Sequence, residues 1–129
     1  MSFQLEEVDC KKEYIFLSKD FKEINFIFSL KQAGNMQDEN FRDNFLDIFK
    51  INKNKLFFTQ QIHSDNIAII KRENNIKENY IPNCDGLITD IKGIWLAIFT
   101  ADCLPIFFYA ASRMIIGLIH AGWRGTKSF

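Results

Sequence analysis

The sequence predicts an α/β fold, a mixed β-sheet with few covering helices, equivalent to half of a layered α/β domain. Three observations carry this expectation. Short apolar runs rich in Phe and Ile recur between residues 56 and 119, separated by turn-forming residues, as closely spaced strands would be. Only residues 38–50 show helical periodicity. After residue 85 the only charges are Asp90, Lys92, Asp102, Arg113, Arg124 and Lys127, so the C-terminal third reads as interior and the remainder as a solvated shell.

The totals agree with one folded domain over residues 1–129. A hydrophobic content of 47% with 14 Phe is enough for a core and excludes a disordered chain. Basic and acidic residues balance at 16 each, so bulk charge points to neither a nucleic-acid nor a membrane surface. Cys10, Cys84 and Cys103 show no CxxC spacing, which suits free thiols in a reducing cytoplasm. The first residues lack the basic-then-apolar layout of a signal peptide. Residues 94–111 are apolar enough to suggest a membrane span. However, a mid-span Asp costs about 2.5–3.5 kcal/mol on the insertion scale and Pro105 lies close by, so two buried strands are expected instead.

In chain order, residues 13–18 and 24–29 read as strands, with residues 19–23 as the polar connection of a hairpin. Residues 30–36 form a loop broken at Gly34-Asn35. In the helix, Phe41, Phe45, Ile48 and Phe49 make one apolar stripe assigned to core packing, with Asp38 and Glu39 in the first turn and Lys50 at the end. Residues 51–55 are a basic, Asn-rich turn. Residues 56–62 and 67–71 read as strands around His63-Ser64-Asp65-Asn66, and residues 72–83 as a polar loop. Residues 87–89, 94–99, 104–109 and 114–119 complete the strands. The last three lack alternation, so both faces of their sheet should be covered. A single helix cannot cover both, which leaves the sheet short of partner surface and open to self-association.

The two histidines, His63 and His120, each end an apolar strand, and Cys103 lies near another such end. Strand ends along one sheet edge bring distant side chains to a common cleft. Two imidazoles and a thiolate are the donor set of a catalytic zinc site with its fourth position open. Each residue also has a plainer reading. Cys103 can be an inert buried thiol, His63 a loop residue bonded to backbone, Asp102 a turn cap and Arg124 a solvated charge.

Four segments, Gln61-Ile62-His63, Asp85-Gly86-Leu87-Ile88-Thr89, Thr100-Ala101-Asp102-Cys103-Leu104-Pro105 and His120-Ala121-Gly122-Trp123-Arg124-Gly125-Thr126, occur in the order seen in the laccase-domain family. Proteins of that family were first called multicopper polyphenol oxidases and are now regarded as purine nucleoside phosphorylases. The resemblance covers roughly residues 24–126 and only the first half of the family's usual domain. It implies that His63, Cys103 and His120 are metal ligands and that Asp85 is a structural neighbour of the site. It implies that Asp102 is a carboxylate just behind the metal ligands or facing the substrate, and that Arg124 is a candidate anion contact, since guanidinium matches phosphate geometry. Both are assigned catalytic roles, Asp102 as the proton-transfer group because zinc deaminases use a non-ligand carboxylate in that way. Gly122 and Gly125 would let backbone approach the ligand. Ser64 departs from the family, which more often has Gly there.

The resemblance implies phosphorolysis of adenosine or inosine to free base and ribose 1-phosphate. Adenosine deamination and methylthioadenosine phosphorolysis are further activities to expect from this resemblance, and zinc is the expected cofactor. Purine nucleosides and phosphate are the expected partners, and Trp123 is placed to stack on a purine or pack in the core. Copper is the alternative metal, with Met114 as a weak axial ligand, but two histidines are too few for a centre that reduces dioxygen. A Cys103 nucleophile paired with His120 would instead make a hydrolase. The remaining alternative is an inactive or partner-dependent fragment, a C-terminally truncated domain.

Overall fold

Antiparallel pairing organises the first of two units, Met1–Phe49. The computed structural model describes residues 6–7, 14–17, 23–72 and 79–127, the first two segments in backbone only. Strands β1 (Glu6–Glu7), β2 (Tyr14–Leu17) and β3 (Phe26–Ser29) form a sheet in that order. The expected hairpin is present, with Tyr14 opposite Ser29 and Leu17 opposite Phe26. Most of its connection lies outside the described residues.

The expected helix is α1 (Glu39–Ile48). Asp38 caps it by accepting a hydrogen bond from the Asn40 N–H at 2.9 Å, which satisfies one of the donors a helix start leaves unpaired. Upstream, Gly34 sits at φ +93 under the Phe41 ring, where an added Cβ would lie 2.4 Å from Phe41 Cδ1. The buried face differs from the predicted stripe. Leu46 is buried and Phe45 and Phe49 are half-buried with their rings 5.0 Å apart, whereas Phe41 and Ile48 are exposed. The apolar face is therefore centred one residue away from the stripe drawn through Phe41 and Ile48.

The second unit, Lys50–Phe129, carries two sheets. Its strands are β4 (Leu56–Thr59), β5 (Ile67–Ile70), β6 (Tyr80–Ile81), β7 (Gly86–Thr89), β8 (Trp95–Ala97), β9 (Leu104–Ala110) and β10 (Ile115–Ala121). One sheet has the order β5-β7-β10-β9, parallel between β5 and β7 and antiparallel elsewhere. The other is parallel, β6-β4-β8. Ile70 and Leu87 of the first sheet, with Cys84, form the core against Phe57, Ile81 and Leu96 of the second. A short helix, α2 (Trp123–Lys127), follows β10.

This is the expected mixed sheet with few helices. Residues 94–111 are two strands, β8 and β9, and no helix among the described residues is long and apolar enough to cross a membrane. Two differences have physical causes. β6 lies inside the stretch read as a loop, because two residues are too few to show a period. β9 is an edge strand, with Leu104 and Phe108 exposed, instead of a strand covered on both faces. Pro105 fits such an edge, since it has no N–H to give a ladder.

Candidate metal centre

Strand register brings the singled-out residues to one end of the four-stranded sheet. Gly86 pairs with Ile119 and Leu104 with Ala121. The residues just outside those pairs, Asp85 before β7, His120 near the end of β10 and Cys103 before β9, therefore share one sheet end. The His63–Asn66 turn delivers the chain into β5, whose Ile67 pairs with Gly86 at the same end. His63 lies in the left-handed region at φ +59, unusual for a non-glycine residue.

Asp85 holds this turn. Its carboxylate accepts from the backbone N–H groups of Ile62 (3.1 Å), His63 (3.0 Å) and Ser64 (2.7 Å), and from the Ser64 hydroxyl (2.8 Å). The fifth partner is His120, whose Nδ1 lies 2.9 Å from Asp85 Oδ1. Burial alone would push the Asp85 carboxyl up, but the Ser64 N–H, the His120 ring, the Ser64 hydroxyl and the Ile62 N–H outweigh it and bring it down to about 2. An ionised carboxylate only accepts, so His120 donates from Nδ1 and leaves Nε2 available as a donor atom. The same carboxylate–histidine pairing orients imidazoles at metal sites. Ser64 is thus a working departure, since its hydroxyl supplies a bond that Gly could not.

The atoms that His63, Cys103 and His120 could offer to a metal all lie within 4.8 Å of one another. Tetrahedral zinc with N and S ligands spaces its donors roughly 3.5 Å apart, so small side-chain movements suffice to close the set. His63 is exposed, Cys103 half-buried and His120 buried, which grades the cluster from solvent to core. The two imidazole rings meet edge to face, 5.0 Å between centroids. Gly122 passes beside all three: a Cβ there would lie 3.1 Å from His63 Cδ2, 3.6 Å from Cys103 Sγ and 3.7 Å from His120 Cε1. Gly125 is tighter still, its Cβ position 2.5 Å from the Ser64 carbonyl oxygen. The close approaches expected at these glycines are thus to the chain's own histidine ring and turn.

Next to the cluster is an open groove of about 590 Å³, lined by Asp102, Cys103, Leu104, Trp123, Thr126 and Lys127 among others. Asp102 is exposed beside Cys103, within reach of whatever occupies the groove. Arg124 does not line it, and its guanidinium lies over the Trp123 ring, 4.7 Å from the centroid. Met114 precedes β10 while His120 lies near that strand's far end. Six residues of strand span about 20 Å, so Met114 cannot be an axial ligand here. Its sulfur instead takes the Tyr109 hydroxyl at 3.6 Å. Cys84 and Cys103 are free thiols; burial pushes the Cys84 thiol up, with the Asp85 charge adding to it. Cys10 lies outside the described residues.

A family model described as multi-copper polyphenol oxidoreductase laccase matches residues 13–128. The chain belongs to this family. Among family relatives, it is 42% identical over 72 residues to the purine nucleoside phosphorylase YlmD of Geobacillus stearothermophilus, covering 52% of this chain and 26% of that one. It is 30% identical over 119 residues to a purine nucleoside phosphorylase of Clostridium acetobutylicum, covering 89% of this chain and 48% of that one. It is also 34% identical over 76 residues to adenosine deaminase RL5 of an unknown prokaryotic organism, covering 55% and 29%. The crystal structure of G. stearothermophilus YlmD superposes with a TM-score of 0.59 at 36% identity, over 67% of this chain and 34% of that one. The chain spans less than half the length of each of these relatives.

Within this family frame, the three residues singled out in the sequence lie together, and two others were given less weight there. Asp85 was expected only as a neighbour, yet it ties His63 to His120. Gln61 was noticed only as part of a motif. A carboxylate just before a buried strand, in register with a histidine on the next one, was the signal available for Asp85. Reading it requires the β7–β10 pairing.

Proposed function

We propose that this chain carries the metal centre of a zinc-dependent purine nucleoside phosphorylase. The observation that carries the reading is the convergence of His63, Cys103 and His120, with Asp85 fixing the His120 ring. One thiolate and two imidazoles favour zinc over hard cations and leave a tetrahedral position open. Bound there, zinc would supply Lewis acidity toward an oxygen of phosphate or water. The relatives named purine nucleoside phosphorylase support the substrate class.

In the reaction, a phosphate oxygen attacks ribose C1′ while the C1′–N9 bond breaks. The bond's electron pair leaves with the purine, which takes up a proton, and ribose 1-phosphate remains. Asp102, exposed at the groove, is the assigned proton-transfer residue. Trp123 offers an exposed ring face for the purine. Arg124 is assigned to phosphate, which requires its guanidinium to swing off the Trp123 ring. Inosine, adenosine and methylthioadenosine are the candidate substrates. Deamination at adenine C6, with water adding and ammonia leaving, is a second use of the same groove, and the adenosine deaminase relative supports it. A reducing cytoplasm, where Cys103 stays a free thiol, is the compartment this chemistry suits.

The test is zinc content by elemental analysis together with phosphate-dependent release of hypoxanthine from inosine. Equal zinc in wild type and Cys103→Ala overturns the ligand assignment. Base release that persists without phosphate favours hydrolysis by a Cys103 nucleophile. A second reading, that turnover needs a partner surface, rests on the openness of the groove. It predicts zinc-loaded, folded protein that releases no base.

A further inference from the structure

The metal-centre reading uses His63, Cys103, His120 and Asp85 but leaves Gln61 without a role. Its side chain makes two short hydrogen bonds to a single residue of another segment. Gln61 Nε2 donates to the Phe99 carbonyl at 2.6 Å, and the Phe99 N–H donates to Gln61 Oε1 at 2.7 Å. β4 ends at Thr59 and β8 at Ala97, so backbone pairing between them has stopped before either residue. The primary amide presents one donor and one acceptor side by side, as a backbone residue does. It therefore adds one more rung to the β4–β8 ladder after the strands have ended.

The position of that rung matters. Gln61 is two residues before His63, and Phe99 is four before Cys103. Residues 98–103 have no regular secondary structure, so register alone does not fix where Cys103 lies until β9 begins. The Phe99 ring adds an anchor, edge-on to Phe58 of β4 at 5.8 Å. We propose that Gln61 is a positioning residue that clamps the Cys103-bearing loop to the His63 turn and so sets the separation of two of the three metal donors. Asp85 joins His63 to His120, and Gln61 joins His63 to Cys103. Together they tie all three donors to one turn. The inference rests on the metal-centre reading for its consequence, but the clamp itself is a property of the protein without metal.

The experiment compares wild type with Gln61→Met, which keeps volume and loses both hydrogen bonds, and with Gln61→Glu, which keeps the acceptor and loses the donor. Ile70→Val, a core change away from the site, controls for a general loss of stability. Amide hydrogen exchange is measured on metal-free protein across residues 98–103. Zn2+ affinity is measured by competition with a chromophoric chelator, and the thiolate band is recorded with Co2+. Gln61→Met should speed exchange in that segment roughly ten-fold, as loss of two hydrogen bonds implies. It should weaken Zn2+ binding about 10–100-fold, the usual effect of removing an outer partner of a metal site. The Co2+–thiolate band should weaken in parallel, with Gln61→Glu intermediate and Ile70→Val like wild type. Unchanged exchange in Gln61→Met overturns the clamp, as does Ile70→Val producing the same local change. If wild type itself binds no Zn2+, the metal-centre reading fails, and the exchange result still decides the role of Gln61.

Discussion

Asp85 gathers five hydrogen bonds on one buried carboxylate, and three come from consecutive backbone N–H groups of the His63 turn. Asp85→Asn nearly conserves shape but turns one acceptor edge into a donor facing other donors. Hydrogen bonds to charged groups are worth about 1.5–3 kcal/mol each, so a loss of about 3 kcal/mol in unfolding free energy is expected. A Zn2+ affinity lower by about 10–100-fold should accompany it. Urea denaturation and chelator competition check the two effects separately. A variant with normal stability and normal affinity would remove Asp85 from the account of the site. Gly125→Ala probes the same turn from the other side. Its Cβ would meet the Ser64 carbonyl at 2.5 Å, where backbone cannot give way as a flexible side chain does. Overpacking of this kind costs about 1–3 kcal/mol. The displaced turn should also carry His63 away from Cys103, so zinc content should fall below that of wild type in elemental analysis.

At the scale of elements, α1 depends on its first turn. Asp38→Ala removes the acceptor for the Asn40 N–H and should cost about 1 kcal/mol, measurable as a lower thermal midpoint with unchanged zinc content. The helix was legible because its apolar residues recur at helical spacing, and the strands because apolar runs sit between turn residues. What the sequence concealed were relations between elements. β9 reads as an interior strand by hydropathy, yet Pro105 already marked it as an edge. His63, Cys103 and His120 stood out because histidine and cysteine are scarce here. Asp85 and Gln61 did not, because their partners lie 22 and 38 residues away in the chain. Those contacts exist only once β7 has paired with β5 and β4 with β8. The chemistry-bearing residues were visible one at a time, and the residues that arrange them became visible only with register.

Across the four-stranded sheet, the two faces differ in kind. Ile70, Leu87 and Leu118 point to one side, where Ile70 and Leu87 belong to the core shared with the parallel sheet. The strand pairing puts Ile67, Gly86, Ile88, Gly117, Ile119, Ile106 and Phe108 on the other. There Ile67 is 45% and Phe108 49% exposed, and Gly86 and Gly117 leave the surface flat. A flat apolar face bordered by the edge strand β9 is a template for association. The 15.1 kDa chain is therefore expected to self-associate through it. Sedimentation velocity should show an average mass that rises with concentration. The double variant Ile67→Lys with Phe108→Lys should shift the distribution toward monomer. Both side chains are already about half in water, so each change should forfeit only about 1 kcal/mol of burial and leave zinc content unaltered. A wild-type chain that stays monomeric across the concentration range, or a lysine variant that associates as strongly as wild type, would show that this face is not the contact.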